Sequence, residues 1–153
     1  MEPYHFVTTW FFHSPIERVW EEIVDIPSWP SWWTSWKKAT FHGSVPPLQL
    51  GSVIDHEVRG RLPYCVRFRT VVTVFQPPHR LEIMSSGDLA GTGTLVLDPR
   101  DHGTGVTYCW DVGLSNPLLN LLGKLSFTRA LLEKNHNYVM DEGYRGLTAR
   151  IER

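Results

Sequence analysis

The last third of the chain carries a single apolar stripe with helical spacing. The large apolar side chains of residues 117–150 recur at three- and four-residue steps, which predicts one long amphipathic helix. Asn116 is a suitable N-cap, and Pro117 suits the first turn because its missing N–H needs no partner there. Such a helix spans about 50 Å at 1.5 Å per residue, so it needs a broad apolar partner that only the preceding segments can supply. The stripe comprises Leu118, Leu121, Leu122, Leu125, Leu132, Val139, Met140 and Leu147.

Most of the segments before this helix have the composition of β-strands. Residues 4–13 are aromatic and β-branched and predict a first strand. A capping serine, a proline and a glutamate at residues 14–17 predict a short helix, and the prolines that follow predict a brief second helix or turn over 27–35. Segregated helices and sequential hairpins indicate an α+β fold with a meandering antiparallel sheet, and we expect residues 1–153 to form one domain. Six further strands are predicted, over residues 37–42, 52–59, 64–75, 80–87, 90–98 and 105–112.

Composition excludes several classes of protein. Hydrophobic residues make up 42% and charged residues 20% of the 153 residues, as in ordinary globular proteins. A net charge of −1 gives no electrostatic footprint for nucleic acid, so no nucleic-acid partner is expected. No run reaches the ~18 apolar residues of a spanning helix, and the start of the chain lacks a signal-peptide pattern. Two cysteines without CxxC spacing, Cys65 and Cys109, predict buried, reduced thiols in a cytoplasmic protein.

Alternation in two strands predicts a sheet face of mixed polarity against the long helix. An aromatic, hydroxyl-bearing and aliphatic face of this kind is typical of a cavity lining. Cys65, Cys109 and Asp111 fall on the opposite face. The inward sets are Tyr64, Val66, Phe68, Thr70, Val72 and Val74 in one strand and Val106, Tyr108, Trp110 and Val112 in the other.

The order of several short motifs resembles that of the SRPBCC superfamily. These motifs are SPIERVW at 14–20, WPSWW at 29–33, FQPPHRL at 75–81, GDLAG at 87–91 and HNYVMDEG at 136–143. The superfamily includes START-type lipid-binding domains and polyketide cyclases and dehydrases. The resemblance implies a helix-grip fold, in which a curved seven-stranded antiparallel sheet wraps around the long C-terminal helix. It also implies two short helices after the first strand and an internal apolar cavity between sheet and helix.

Candidate chemistry rests mainly on histidine. None of the seven histidines has metal-ligand spacing, so neither a metal nor a cofactor is expected. His136 shares the apolar helix face, where it is either a hydrogen-bonded core residue or a polar contact in the cavity. His56 alternates with Ile54 and Val58 and is a second candidate for the lining. General acid–base chemistry could use His56, Tyr108 or His136, but spacing defines no constellation, so catalytic residues stay unassigned.

Three functions are compatible with these patterns. The first is binding or carrying a hydrophobic or amphipathic small molecule (a fatty acyl chain, an isoprenoid or an aromatic polyketide) in the cavity. The second is a cyclase or dehydratase that uses the same cavity. The third is an interaction module with a dry interior and less than about 300 Å³ free. The residues predicted to contact the ligand are Tyr64, Phe68, Val72, Tyr108, Trp110, Leu132, His136 and Met140.

The surface offers two further sequence-based expectations. Trp29, Trp32, Trp33 and Trp36 either close one end of the sheet or line the cavity, and the adjacent lysines at 37 and 38 allow transient contact with a membrane surface. Leu119 and Phe127 are predicted surface hydrophobes at an entrance or a dimer contact. The sequence leaves the oligomeric state open.

Overall fold

The computed structural model describes residues 4–43, 45–61, 65–114 and 126–152. Its seven strands form one antiparallel sheet in the order β1-β7-β6-β5-β4-β3-β2. The sheet curls into a half-barrel around the C-terminal helix, so the predicted α+β helix-grip fold is confirmed. The strands are β1 (Tyr4–Phe12), β2 (Trp36–Phe41), β3 (Val53–Val58), β4 (Val66–Gln76), β5 (Arg80–Gly87), β6 (Leu89–Arg100) and β7 (Gly103–Leu114).

Short helical segments fill the connection between β1 and β2. Helix α1 (Ile16–Val24) buries Ile16, Val19, Trp20 and Ile23 against the core. A 3-10 turn (Ile26–Ser28) leads into α2 (Trp29–Trp32), where Pro30 occupies the first turn. The short helix predicted to begin at residues 14–17 and the brief second helix or turn predicted over 27–35 are confirmed.

Helix α3 (Ser126–Ile151) lies in the concave side of the sheet. Val139, Met140 and Leu147 of the predicted stripe are buried, and Leu132 is half-buried. The predicted helical residues 117–125 lie outside the described residues, as do Leu119 and the side chain of Phe127.

Side-chain contacts anchor the C-terminal half of α3 to the tryptophan-rich turn. The Trp33 indole N–H donates to the Val139 carbonyl at 2.7 Å. A Glu142 carboxylate oxygen accepts hydrogen bonds from both the backbone N–H and the hydroxyl of Ser35, each at 2.6 Å. The Tyr144 hydroxyl donates to the carbonyl of Phe11 at 2.7 Å. These contacts hold one end of the helix against β1 and the turn after α2.

Strand alternation holds in β7 but changes along β4. A β-bulge between Val72 and Val74 shifts the register against β5, and a bulge changes which side chains face the core. Phe75 therefore packs on the core, where its ring lies 5.8 Å from that of Trp20, and the predicted inward position of Val74 is corrected.

Two smaller sequence-based expectations have different outcomes. Both cysteines are free, as predicted, but Cys65 and Cys109 are half-buried rather than buried; Cys65 precedes β4, and Cys109 in β7 borders the internal cavity. Within the described ranges, no helix combines the length and apolarity needed to span a bilayer.

Candidate ligand-binding cavity

A cavity of about 240 Å³ lies between α3 and the concave face of the sheet. It is slightly smaller than the ~300 Å³ at which pockets for drug-sized ligands begin. Residues of all seven strands form one wall, and the α2 turn and α3 form the others. The lining includes Tyr4, Phe6, Trp29, Trp33, Trp36, His56, Phe68, Ile83, Leu95, Tyr108, Trp110, Val112, Leu132, Asn135, His136 and Met140.

The structure brings six of the eight predicted ligand contacts together around this cavity. Tyr64 lies outside the described residues. Val72 is 2% exposed and packs in the apolar core instead of lining the cavity, so its predicted place is corrected. The physical reason is its position along β4: the cavity borders the first half of the strand, and Val72 lies beyond it, where its backbone bonds to Ser52. The six are Phe68, Tyr108, Trp110, Leu132, His136 and Met140.

Three polar groups at the cavity wall, on Tyr4, Tyr108 and His136, are buried without a partner among the described residues. The Tyr108 hydroxyl has no hydrogen bond, although its ring borders the cavity. Burial raises the pKa of Tyr108 far above its usual range, so the phenol is neutral. The Nδ1 atom of His136 is also unpaired, and its ring stacks on Phe6 with centroids 3.7 Å apart. Because buried polar groups are normally paired, the Tyr108 hydroxyl and His136 Nδ1 are available to a bound molecule.

Burial also keeps the His136 ring uncharged. It lowers the pKa of His136 to about 4, and a hydrogen bond to the Asn137 side chain, which stabilises the protonated ring, opposes this only in part. A neutral imidazole offers one donor and one acceptor nitrogen. His136 therefore offers a ligand one hydrogen-bonding nitrogen, Nδ1, and it supplies no positive charge near pH 7.

His56 differs from His136 because both of its ring nitrogens are occupied. The Trp36 indole N–H donates to Nδ1 at 3.1 Å, which leaves the proton on Nε2. Nε2 then donates to the Thr70 hydroxyl oxygen at 2.9 Å. Burial lowers the pKa of His56 to about 4, against a smaller opposing effect of Asp55. His56 therefore holds the wall in place and has no nitrogen free for proton transfer.

The tryptophan-rich turn closes one end of the sheet and also lines the cavity. The rings of Trp33 and Trp36 lie 4.5 Å apart, and Trp29 lies 5.0 Å from Trp36. These three rings line the cavity, whereas Trp32 packs only on the core. The prediction that the cluster lines the cavity therefore holds for Trp29, Trp33 and Trp36, and the prediction that it packs at the end of the sheet holds for Trp32.

In the part of the chain that the structure describes, no Asp, Glu, Lys or Arg lines the cavity. Two arginine side chains lie over aromatic rings, and one of these rings, that of Tyr4, borders the cavity. The Arg129 guanidinium lies 3.9 Å over the ring of Tyr4 and 3.7 Å from the Glu133 carboxylate, and Arg61 lies 5.0 Å over Tyr138. Among the described residues, no cluster of three or more His, Cys, Asp or Glu side chains is placed to hold a metal ion.

Sequence reasoning missed the contribution of β1 and of the network around His56. Tyr4, Phe6 and Thr8 line the cavity, and they alternate with the exposed His5, Val7 and Thr9. That alternation is visible in the sequence and could have identified them. The bond between Trp36 and His56 could not be found in this way, because it depends on the pairing of β2 with β3.

The chain belongs to the family described as "Polyketide cyclase / dehydrase and lipid transport", whose model matches residues 4–152. This match, together with the helix-grip fold, confirms membership of the SRPBCC superfamily. No curated protein matches the sequence.

Several solved structures share the fold at low sequence identity. The Zhui aromatase/cyclase from a Streptomyces species is 14% identical, with a TM-score of 0.74 over 99% of this chain and 94% of that chain. A START superfamily protein from Mycobacterium smegmatis is 15% identical, with a TM-score of 0.71 over 97% of each chain. The di-domain aromatase/cyclase StfQ, from the steffimycin biosynthetic pathway, is 14% identical with a TM-score of 0.71. This chain spans 53% of the length of StfQ. At these identities the likeness concerns the fold alone.

Proposed function

We propose that this protein binds or carries a hydrophobic or amphipathic small molecule in the cavity between the sheet and α3. The observation that carries the proposal is an internal cavity whose wall keeps the Tyr108 hydroxyl and His136 Nδ1 buried and unpaired. Apolar burial at roughly 25 cal/mol per Å² would supply most of the affinity, and the two polar groups would orient the ligand. Membership of a family of cyclases, dehydrases and lipid-transport proteins supports the same class of function.

The third hypothesis, a packed interaction module, predicted less than about 300 Å³ of free space. The cavity volume of about 240 Å³ meets that criterion. A dry packed interior, however, satisfies its polar groups. Here the Tyr108 hydroxyl, the Tyr4 hydroxyl and His136 Nδ1, all at the cavity wall, have no hydrogen-bond partner among the described residues. This favours ligand binding over the module.

The first experiment is native mass spectrometry of the purified protein, followed by solvent extraction of whatever is released. A retained apolar or aromatic molecule would support the proposal and name its chemical class. A protein that is empty and takes up no hydrophobic dye would contradict it and favour the interaction module.

A filled cavity provides the second experiment. We expect Leu132→Trp to weaken dye binding at least tenfold, because Leu132 lines the cavity and the larger ring would occupy it. Leu131→Trp is the matched control, since Leu131 is the preceding residue of the same helix and is 50% exposed. Dye affinities are measured by titration. Equal affinities of the two variants would mean that the dye binds outside the cavity.

A cyclase- or dehydratase-type enzyme is the second candidate function. It is favoured by one observation: Tyr108 and His136 offer a neutral O–H donor and a neutral imidazole at one cavity, which is a usable pair for enolisation of a bound ketone. His56 is excluded from the pair because its two nitrogens are occupied.

His136→Gln separates the two candidate functions. For a binding protein we expect most of the affinity for the extracted ligand to be retained, because glutamine can still hydrogen-bond. For an enzyme we expect turnover of that ligand to fall by about 10²-fold or more while binding persists. Parallel measurement of binding by calorimetry and of product by mass spectrometry distinguishes these outcomes.

The proposal also treats residues 1–153 as one ligand-binding domain acting in the cytoplasm. Its support is the family match over residues 4–152 and the two free cysteines. Transient contact with a membrane surface stays part of the proposal, because Lys37 and Lys38 are exposed beside the half-buried Trp36.

A further inference from the structure

We infer that the cavity prefers uncharged ligands that carry a hydrogen-bonding oxygen on an aromatic ring, and that it excludes anionic lipids such as fatty-acid carboxylates. This inference rests on the proposed binding function and narrows the ligand to one charge class. Among the candidates that the sequence left open, it removes those fatty acyl chains that end in a free carboxylate.

The first argument is the absence of a counter-charge at the cavity wall. No charged side chain of the described residues lines it, and both lining imidazoles, His56 and His136, are neutral because they are buried. A carboxylate moved from water into such a site loses its hydration and gains no ion pair, which is strongly unfavourable. An uncharged ligand avoids this cost.

The second argument is the pair of polar atoms that a purely apolar ligand would leave unsatisfied. The Tyr108 hydroxyl is fully buried and has no partner among the described residues, and His136 Nδ1 is in the same state. A hydroxyl or ketone oxygen can accept from Tyr108, and a hydroxyl can also donate to a histidine nitrogen. A ligand with such an oxygen therefore has an advantage over its parent hydrocarbon.

The third argument is the aromatic character and size of the space. The His136 ring lies parallel to Phe6 within 10°, and the His56 ring lies parallel to Phe68 within 11°, so two stacked aromatic pairs border the cavity. Offset stacking on such rings favours a flat aromatic ligand. A volume of about 240 Å³ suits a compact ring system better than a long acyl chain.

The alternative to this inference is that an anionic ligand binds with its head group at the edge of the cavity, against Arg129. This arginine lies 3.9 Å over the ring of Tyr4, which itself lines the cavity. Arg129 is already close to the Glu133 carboxylate, at 3.7 Å. A ligand carboxylate would thus compete with an existing ion pair instead of meeting an isolated cation.

The test compares three probes that share one ring system at pH 7: naphthalene, 1-naphthol and 1-naphthoate. We expect 1-naphthol to bind about 5- to 10-fold more tightly than naphthalene, because it hydrogen-bonds to groups that the hydrocarbon leaves unpaired. We expect 1-naphthoate to bind at least about 100-fold more weakly than 1-naphthol, because its charge is uncompensated. Affinities are measured by calorimetry, directly or by displacement.

A variant tests whether the preference for 1-naphthol over naphthalene arises in the cavity. Tyr108→Phe preserves the ring and removes the hydroxyl, so the advantage of 1-naphthol over naphthalene should fall to about 2-fold or less. Tyr144→Phe is the matched control, because the Tyr144 hydroxyl donates to the Phe11 carbonyl and not into the cavity. The control should retain the full ratio.

Each other outcome overturns the inference in a distinguishable way. Equal binding of 1-naphthol and 1-naphthoate overturns the charge preference, and loss of 1-naphthoate binding in Arg129→Gln would assign it to the edge of the cavity. Dodecanoate, an anionic acyl chain, is added as a fourth probe. If it binds and no naphthyl probe does, the proposed function is retained and the inference is overturned. Binding of none of the four probes overturns both.

Discussion

Two histidines with similarly lowered pKa values have different roles in this protein. His56 is fixed between the Trp36 indole and the Thr70 hydroxyl, whereas His136 stacks on Phe6 and keeps Nδ1 unpaired. The pKa of each is about 4 because each ring is buried. The hydrogen-bond partners, and not the pKa, therefore distinguish the structural histidine from the candidate ligand contact.

The buried, uncharged state of His56 predicts a loss of stability in mild acid. Its pKa is lowered from about 6.5 to about 4 on folding, so the unfolded chain binds more protons between these values. Stability from this residue is complete above pH 6.5 and is lost as the pH falls toward 4. The loss amounts to about 3 kcal/mol. Urea unfolding at pH 7, 5.5 and 4.5 measures it.

His56→Gln should remove that part of the pH dependence, since glutamine can bond to Trp36 and Thr70 but does not titrate. His79→Gln is the control, because His79 is exposed in the turn between β4 and β5. The interpretation is wrong if the free energy of unfolding of His56→Gln declines with acid as steeply as that of the unmodified protein.

At the scale of elements, α3 is anchored to the rest of the fold by close side-chain and backbone contacts. Its C-terminal half packs closely on the tryptophan-rich turn, where two glycines permit contact with indole rings and backbone. A Cβ atom at Gly143 would lie 2.4 Å from the ring of Trp33, and one at Gly146 would lie 1.8 Å from the carbonyl oxygen of Trp32. The glycines therefore set the distance between α3 and α2.

Gly146→Ala tests this packing because two effects of the substitution oppose each other. Alanine favours a helix over glycine by about 1 kcal/mol. The added methyl group meets a backbone oxygen that cannot move alone, and overpacking of this kind costs about 1–3 kcal/mol or more. We expect net destabilisation and a lower Tm, measured by thermal unfolding.

Gly113→Ala is the matched control for that measurement. Gly113 lies in β7, and a Cβ atom there would meet nothing within 4 Å. Its Tm should change little. A rise in Tm for Gly146→Ala would mean that α3 is free to move away from α2, contrary to the close packing described here.

At the scale of the whole molecule, sequence pattern predicts the sheet better than the cavity. Alternation in β7 correctly places Tyr108 and Trp110 toward α3, since one regular strand carries both. The same reasoning is wrong for Val74, because a bulge is a property of two paired strands and leaves no mark in one of them. Val72 faces inward as predicted, but only the three-dimensional extent of the cavity shows that it lies beyond the lining.

The division of roles among the candidate acid–base residues was likewise invisible in the sequence. His56 and His136 both sit among apolar residues at suitable spacing. Their difference depends on whether Trp36 of a neighbouring strand reaches the ring. Long-range pairing, which sequence spacing does not encode, thus decides which histidine faces the ligand with a free nitrogen.

The tryptophan-rich turn also has a spectroscopic consequence. Trp29, Trp33 and Trp36 lie with ring centroids 4.5 to 5.2 Å apart, close enough for their excited states to couple. Because the same three indoles border the cavity, any occupant that shifts them or accepts their excitation alters near-ultraviolet circular dichroism and intrinsic emission. The protein therefore contains an optical reporter of cavity occupancy that requires no label.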